Sequence, residues 1–597
     1  MANGQAYDEA IMRPYHLLAL PFLSLVACAG GTPAQRPPAV ADAPVDAVAK
    51  SNAFARRLVE ADAKFAPESL IDLGDARLDE RVPDLAPERD ERAMREYRDI
   101  EAEYRRLAAS EPNPDVRTDL EVLARAAQQQ HRQIALDAKY QVPFYELAKL
   151  ISEGLSPLLD PKGTPERKRA ALVRLAGYAG LGPNGAAITE LAERRTRERL
   201  DRPGLLFPPK TRVKRYLESS TAILPSVRTA FVDSGLSGYE TALGRLEQQM
   251  TAYDAFVRTV ILPRARDGFR MPEEYYTFEL EQHGIDAPPR EVARTARQAF
   301  VEIQREMAPL AREVAKKRNL PADDYRSVIR ALKQEQVPGN AIEALYRRRI
   351  GELEAIIRKE HLATLPRHAL NFRMASAADS ARIPAPYYDS PPLFGPGPKE
   401  GVFVLAAHNA DGAAGRFDDF SFDAATWWLA AHEGRPGHDL QFSRMRENGV
   451  SIARGHFASN AANIEGWGLY AESMVKDYLP LEGRLIDLQA RLMRAAHAFL
   501  DTELNLGIID EAEVKRVITD DVVFSEAWAN QAVQRYTFWL PGQAPCYFYG
   551  YLQLLKLRTD AQQEMGAKFD LQSFHDRVLA QGMLRFPILR RAVLGRG

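Results

Sequence analysis

Cysteine and histidine are scarce in this chain of 597 residues, and this limits the chemistry that it can carry. The only cysteines are Cys28 and Cys546, which excludes a disulfide framework and a cysteine zinc cluster. A metal ion would therefore need carboxylates and some of the 11 histidines as ligands. Ser525 has no G-x-S-x-G setting, which argues against a serine hydrolase of that type.

A strong net charge and a long apolar run are also missing. The net charge of −2 argues against a general nucleic-acid binder, which would be basic. The apolar run from Leu17 to Ala27 is too short to span a bilayer. It ends in Leu25-Val26-Ala27-Cys28, which is typical of a bacterial lipobox. We therefore expect residues 1–28 to be a lipoprotein signal peptide. The protein would be exported and lipid-anchored at Cys28 on the periplasmic side of the cell envelope.

The rest of the chain has the pattern of a mainly α protein. Residues 29–50 are rich in proline and alanine, which predicts an extended tether. Residues 51–597 would form one helical domain, with an N-terminal lobe over about 51–300 and a catalytic lobe over about 301–597. Within the first lobe, 88–109 and 117–140 are dense in Glu, Arg, Ala and Leu at helical spacing.

A small β-sheet is expected between the two helical stretches. Residues 371–374 and 401–405 have the composition of short strands. The segment 384–399 between them is rich in proline, carries the pair Tyr387-Tyr388, and is expected to be a loop. A strand near an active-site helix would suit an enzyme that aligns an extended peptide substrate.

The candidate site begins where an apolar helical run ends in His432-Glu433, with His438 following after Pro436-Gly437. In the related motif H-E-x-x-H, two histidines four residues apart bind zinc and the glutamate serves as general base. Here the histidines are six residues apart, so on an unbroken helix they would point roughly 120° apart. Proline and glycine both disrupt a helix, so we expect a bulge of two residues that returns His438 to the zinc-binding position.

A third ligand is expected on a helix over residues 461–478. Glu465 and Glu472 share a face of that helix, with Gly468 between them where a neighbour could approach closely. We take Glu465 as the third zinc ligand and Glu472 as a carboxylate that orients a ligand histidine. An ordinary pair of exposed glutamates is the alternative.

These motifs resemble a known family. His432-Glu433-x-x-Pro436-Gly437-His438 and Glu465-Gly466-Trp467-x-Leu469-Tyr470-x-Glu472 are similar to motifs of the bacterial domain-of-unknown-function family eight-eight-five. The same order of C-terminal motifs follows, from Arg535-Tyr536 to Phe574-His575-Asp576. The chain departs from the family pattern at Pro545-Cys546 and at Gly468, and neither departure is expected to touch a ligand.

The resemblance implies a gluzincin-like zinc metallopeptidase. Its fold would be a large helical shell around a deep cleft, like angiotensin-converting enzyme and the oligopeptidases, with a small sheet beside the active-site helix. The partner would be a peptide substrate, with no nucleic acid and an unknown oligomeric state.

The residue types then suggest roles in peptide hydrolysis. Zinc on His432, His438 and Glu465 would activate a water molecule, and Glu433 would serve as general base. Tyr547 is the first choice to stabilise the oxyanion, with Tyr549 and Tyr536 as alternatives. Arg535 could pair with a substrate carboxylate. For Arg535 and for each of these tyrosines, plain packing is the alternative. His575 is a further catalytic candidate near a helix start, where a residue that caps the helix or supports a ligand is the alternative.

Two other interpretations of the sequence remain open. The same ligands would serve a zinc amidohydrolase that acts on a non-peptide amide. Alternatively, the protein could be a non-catalytic helical lipoprotein with a structural metal site. Glu433 discriminates, because a closed structural site needs no free carboxylate beside its ligand.

Overall fold

The computed structural model describes residues 45–595, apart from 161–162, 183–184, 377–378, 380–384, 396–399 and 407–416. The predicted signal peptide, the lipobox residue Cys28 and most of the predicted tether lie outside the described residues. Helix makes up 71% and strand 3%, which confirms a mainly α fold with a small sheet.

The first described helix begins at Val45, inside the segment 29–50 that the sequence predicts to be a tether. No proline follows Pro44 in this segment, so nothing in the backbone chemistry stops a helix there. Ala47 is already part of the main hydrophobic core, and this burial stabilises the first turns.

Thirteen helices precede the sheet in the described part of the chain. They are α1 Val45–Phe65, α2 Ala76–Asp79, α3 Arg89–Ser110, α4 Pro114–Tyr140, α5 Leu147–Leu155, α6 Pro165–Tyr178, α7 Ile188–Arg197, α8 Lys210–Ser234, α9 Glu240–Phe256, α10 Glu273–Gln282, α11 Pro289–Arg318, α12 Tyr325–Leu332 and α13 Gly339–Lys359.

After the sheet, the described residues form nine helices, and several of them run into a wider π-helical turn. They are α14 Ala425–Leu429, α15 His438–Asn448, α16 Ala461–Val475, α17 Leu481–Asn505, α18 Glu511–Arg516, α19 Glu526–Gln534, α20 Cys546–Met565, α21 Leu571–Ala580 and α22 Phe586–Leu594. The π-helical turns are Val257–Ile261, Ala430–Gly434, Ala453–Phe457, Val517–Asp521 and Arg535–Trp539.

The helices predicted from periodicity are present with shifted ends. Helix α4 begins at Pro114, three residues before the predicted start, because Asn113 caps it. The Asn113 side chain accepts hydrogen bonds from the N–H groups of Asp115 and Val116, at 2.9 and 3.2 Å, which satisfies donors that a helix start leaves unpaired.

The three-stranded sheet consists of β1 Asn371–Met374, β2 Tyr387–Asp389 and β3 Val402–Leu405. Its order is β1-β3-β2, with β1 parallel and β2 antiparallel to β3. The two predicted strands are confirmed. The sequence predicts a loop at β2, because its three residues lie in a proline-rich segment. They form a strand because they pair with β3, which lies further along the chain. It forms one edge of the sheet.

Two large groups of buried side chains divide the chain unevenly. The main core takes residues from both ends of the chain, 47–134 and 276–593. The second core is built from residues 142–261 together with Leu85. The lobe boundary near residue 300 stays a prediction, but the first helices share a core with the C-terminal half.

Hydrogen bonds between distant segments tie the N-terminal helices to the C-terminal half. The N–H of Ile452 donates to Asn52 Oδ1 at 2.7 Å. Arg454 Nε donates to Asp119 Oδ1 at 2.6 Å, and Ser451 Oγ donates to Asp119 Oδ2 at 2.6 Å. In the ranges that the structure covers, none of the helices is both long and apolar enough to cross a membrane.

Candidate metal centre

The His-Glu segment lies at the end of a buried helix. Helix α14 continues into the π-helical turn Ala430–Gly434, which carries both His432 and Glu433. Arg435 then adopts an extended conformation, with φ −120° and ψ 126°, and a new helix begins at His438. The predicted two-residue bulge in one continuous helix is therefore wrong. Proline and glycine instead end one helix and allow another to begin.

Close packing in this break requires a glycine. A Cβ atom at Gly437 would lie 1.8 Å from the carbonyl oxygen of His432, far inside van der Waals contact. The Arg435–Pro436 peptide bond is cis. The indole N–H of Trp467 donates to the carbonyls of Pro436 and Gly437 at 3.0 and 3.3 Å. Helix α16, which carries Trp467, therefore holds the break in place.

The break brings the two histidines to one carboxylate. The Nε2 atoms of His432 and His438 each lie 3.4 Å from Glu465 Oε2. Ligand atoms of the three residues all lie within 4.8 Å of one another. His432 is 1% exposed, and His438 and Glu465 are 7% exposed. Three donor atoms thus meet where little solvent reaches them. We call the residues His432, His438 and Glu465 the metal triad.

The carboxylate of Glu472 holds His432 from behind. His432 Nδ1 donates to Glu472 Oε1 at 2.6 Å, and Glu472 is fully buried. A proton on Nδ1 leaves the Nε2 lone pair free on the side that faces Glu465. His438 has a weaker partner, because its Nδ1 lies 3.4 Å from Gln441 Oε1.

Gly468 lies directly against the His432 ring. A Cβ atom at position 468 would be 2.5 Å from His432 Cε1 and 2.8 Å from Nε2. The expectation that this departure from the family pattern touches no ligand is therefore wrong. Sequence alone could not reveal this contact, because it joins residues 36 positions apart in two helices.

The triad strongly favours a positive charge. Burial alone would lower the pKa of His432, but hydrogen bonds to Glu465 and Glu472 raise it to about 10. Burial would raise the pKa of Glu465, but the two histidines hold it well below its usual range. A cation at this place, whether a proton or a metal ion, is therefore stabilised by buried carboxylates.

The donor set and its spacing suit zinc. Two ligands about 2.0–2.1 Å from a tetrahedral zinc ion lie about 3.3–3.4 Å apart. The two Nε2–Oε2 separations of 3.4 Å match that value. Two histidines and one glutamate with an orienting carboxylate are ligands that zinc accepts in hydrolases.

Glu433 stands beside the triad without belonging to it. Its Oε2 atom accepts a hydrogen bond from the backbone N–H of Tyr388 at 2.9 Å. Tyr388 lies in the edge strand β2. This bond links the carboxylate to the sheet edge, and no sequence pattern pointed to it.

Tyr547 lies against the triad in a stack of three rings. Its ring centroid is 6.3 Å from that of His432 and 6.5 Å from that of His497, with interplanar angles of 21° and 23°. Burial, followed by the charge of Glu465, raises the pKa of Tyr547, so the phenol keeps its proton. Its oxygen accepts a bond from Arg535 at 3.4 Å, which leaves the phenol proton available to another acceptor.

Arg494 contacts the ring of Tyr547, and the sequence analysis did not identify it as a site residue. Its Cζ atom lies 4.4 Å from the centroid of Tyr547, and Arg535 Cζ lies 5.5 Å from it. Arg494 belongs to the buried helix α17, where an arginine in a helical pattern has no distinguishing signal.

The remaining candidates have other partners. Tyr536 hydrogen-bonds to His497 Nδ1, and the ring of Tyr549 packs 6.4 Å from that of Phe586. His575 donates from Nδ1 to the carbonyl of Leu362 at 2.5 Å and its Nε2 lies 2.7 Å from the hydroxyl of Tyr470. Its catalytic role stays a prediction.

Comparison with known proteins gives a family and a fold. The model of the family described as "Bacterial protein of unknown function (DUF885)" matches residues 67–593. No curated protein matches the chain.

Two solved structures are similar over nearly the whole chain. One is "a putative lipoprotein of unknown function" from Shewanella oneidensis, with a TM-score of 0.73 and 17% identity over 91% of this chain and 99% of that one. The other is "the putative lipoprotein" from Colwellia psychrerythraea, with a TM-score of 0.67 and 17% identity over 92% and 100%. Such likeness establishes the fold and leaves the activity to the site.

Proposed function

Since the chain belongs to the bacterial DUF885 family, whose function is unknown, its activity has to be inferred from the site, and we propose that it is a zinc-dependent metallopeptidase. The single observation that carries the proposal is the metal triad, with Glu433 beside it but outside it. A purely structural site has no need of that carboxylate.

Each residue then has a defined task. His432, His438 and Glu465 would hold the ion, and Glu472 would fix the His432 tautomer. A bound zinc ion supplies Lewis-acid activation of water and of the substrate carbonyl. Glu433 takes a proton from the attacking water and passes it to the leaving amine.

Tyr547 is the proposed donor to the developing oxyanion. Its oxygen already accepts a bond from Arg535 at 3.4 Å, and it packs against the ring of His432. A neutral phenol held there by packing requires little reorganisation when negative charge develops.

The proposal extends to fold and location. We propose a gluzincin-like helical shell with a deep cleft over the triad, and a lipid anchor at Cys28 on the periplasmic side of the envelope. The lipobox pattern of residues 25–28 supports the anchor, as does the description of both similar structures as putative lipoproteins.

Glu433→Gln tests the proposal, because glutamine keeps the size of the side chain and loses the base. We expect zinc content to stay at the wild-type level while turnover of a peptide library falls by about 10²–10⁴-fold. The loss should appear in kcat with KM little changed. Zinc is measured by atomic emission, and cleavage by mass spectrometry.

Glu447→Gln is a matched control, since Glu447 lies in helix α15 near the triad in sequence but bonds to Arg444 and to the backbone N–H of Arg367. It should keep both zinc and activity. A Glu433→Gln protein that retains zinc and cleaves peptides at the wild-type rate would overturn the proposal.

A further inference from the structure

Two buried arginines beside Tyr547 have no carboxylate partner among the described residues. Arg494 and Arg535 are each 7% exposed. Arg494 contacts Met493 Sδ at 3.4 Å and the rings of Tyr547 and Trp428, all of them neutral. Arg535 contacts Gln543 and Tyr547, which are also neutral. In the described ranges, neither guanidinium forms an ion pair.

Two other buried arginines are paired with carboxylates. Arg435 forms an ion pair with Asp439 at 2.6 Å, and Arg454 forms one with Asp119 at 2.6 Å. A buried guanidinium without a counter-charge loses hydration that neutral neighbours restore only in part. The two arginines beside Tyr547 therefore lack a counter-charge in the protein without substrate.

Their hydrogen-bonding capacity is incomplete as well. The Nε atoms of Arg494 and Arg535 are buried without a hydrogen-bond partner, and so is Nε2 of Gln543. Gln543 is fully buried. Its amide oxygen accepts from Arg535, so its amide nitrogen remains as a donor. Three unused donors on two cationic side chains and an amide suit an acceptor with several oxygen atoms.

Asp501, a buried acid close enough to interact electrostatically with Arg535, does not fill this role. Asp501 accepts the N–H of Gly542 with both carboxylate oxygens at 3.0 Å, and the hydroxyl of Tyr276 at 3.0 Å. Burial raises its pKa to about 7, so its charge is only partly available to Arg535 near neutral pH.

We propose that Arg494 and Arg535, with Gln543, bind a carboxylate of the substrate, so that the enzyme selects peptides with an anionic group close to the scissile bond. The inference rests on the proposed peptidase function. The guanidinium carbons of Arg494 and Arg535 lie 4.4 and 5.5 Å from the centroid of the Tyr547 ring, which itself lies 6.3 Å from that of His432. The carboxylate would thus lie within about three residues of the bond, at about 3.3 Å per residue of extended chain. It could be the free C-terminus or an acidic side chain.

Wild-type protein loaded with zinc tests this without any mutation. The substrates are acetylated hexapeptides in pairs that differ only in a free or an amidated C-terminus, and a third set is amidated with one internal glutamate. We expect the free acid to exceed the amide about 10–100-fold in kcat/KM, as charge-assisted hydrogen bonds provide. A gain only in the glutamate set would assign the carboxylate to a side chain.

Substitution then assigns the selectivity to these residues. Arg535→Met and Arg494→Met should bring the acid-to-amide ratio toward one, mainly through KM. Arg535→Lys keeps the charge and should restore part of the ratio. Arg590→Met is the control, because Arg590 pairs with Asp560 at the surface at 2.8 Å, and its ratio should equal that of wild type.

Calorimetric binding to the Glu433→Gln protein separates the two proposals. If the wild-type protein loaded with zinc cleaves no peptide, the peptidase proposal fails. The carboxylate inference then stands only if the free acid binds at least about tenfold more tightly than the amide and Arg535→Met removes that difference. Equal binding of acid and amide overturns it. So does an unchanged acid-to-amide ratio in the methionine variants, which would mean that the arginines only pack against Tyr547 or stabilise the transition state.

Discussion

Replacing Glu472 by glutamine would test how the protein prepares His432 for a metal ion. The hydrogen bond between His432 Nδ1 and Glu472 Oε1 is 2.6 Å long and fully buried. A charge-assisted bond of this kind contributes about 1.5–3 kcal/mol, and each 1.4 kcal/mol is about a tenfold change in affinity. Glutamine can still accept the bond but carries no charge. We therefore expect about 10–100-fold weaker zinc binding.

The size of this loss should depend on pH. In the metal-free protein the pKa of His432 is about 10, so at pH 7 a proton occupies the ring and competes with the metal. Wild-type affinity should rise about tenfold per pH unit towards pH 10, because one proton is displaced. Glu472→Gln lowers that pKa and weakens the competing proton. The loss of affinity should thus be larger at pH 9 than at pH 7.

Competition with a zinc chelator at both pH values measures these affinities. Gln441→Ala is the matched control: it removes a neutral contact of 3.4 Å to His438, and we expect a loss below about fivefold. Melting temperatures of the metal-free proteins would show that the fold is retained. If Glu472→Gln bound zinc like wild type at pH 9, the orienting role of Glu472 would be refuted.

Two further predictions follow from buried or anchoring residues. Burial lowers the pKa of His575 to about 4, so the unfolded chain takes up a proton on acidification before the folded one does. Wild type should therefore lose about 2 kcal/mol between pH 7.5 and pH 5 from this group. His575→Gln should lack that part of the loss in urea unfolding, and equal losses would contradict it. Cys28→Ala should abolish incorporation of labelled palmitate and membrane partition, whereas membrane association equal to wild type would count against the lipid anchor.

Local patterns explain what the sequence could predict. Helical periodicity placed α3 and α4 to within three residues, since each helix satisfies its own backbone and shows a 3.6-residue repeat. The residues singled out as metal ligands do meet, at 3.4 Å. The residue types and their spacing were enough to predict that these three side chains meet, whereas zinc binding itself stays a prediction.

Features that depend on contacts between distant segments were not predictable. Strand β2 exists only because it pairs with β3 across a proline-rich segment. The bond from Tyr388 to Glu433 spans 45 positions. Arg494 looks like any helical arginine until its surroundings reveal that its partners are neutral. A short stretch of sequence does not show whether a buried arginine has an acidic partner in the folded protein.

The unequal division of the two cores has a consequence for the order of folding. The second core is contiguous in sequence, at residues 142–261, so its contacts can form as soon as that stretch has been made. The main core needs residue 47 and residue 593 together, and closing so long a loop is slow. The segments that carry the metal triad contribute Ala431, Leu440 and Trp467 to that main core. The site that we propose for catalysis therefore belongs to the part of the molecule that is completed last, after nearly the whole chain has left the ribosome.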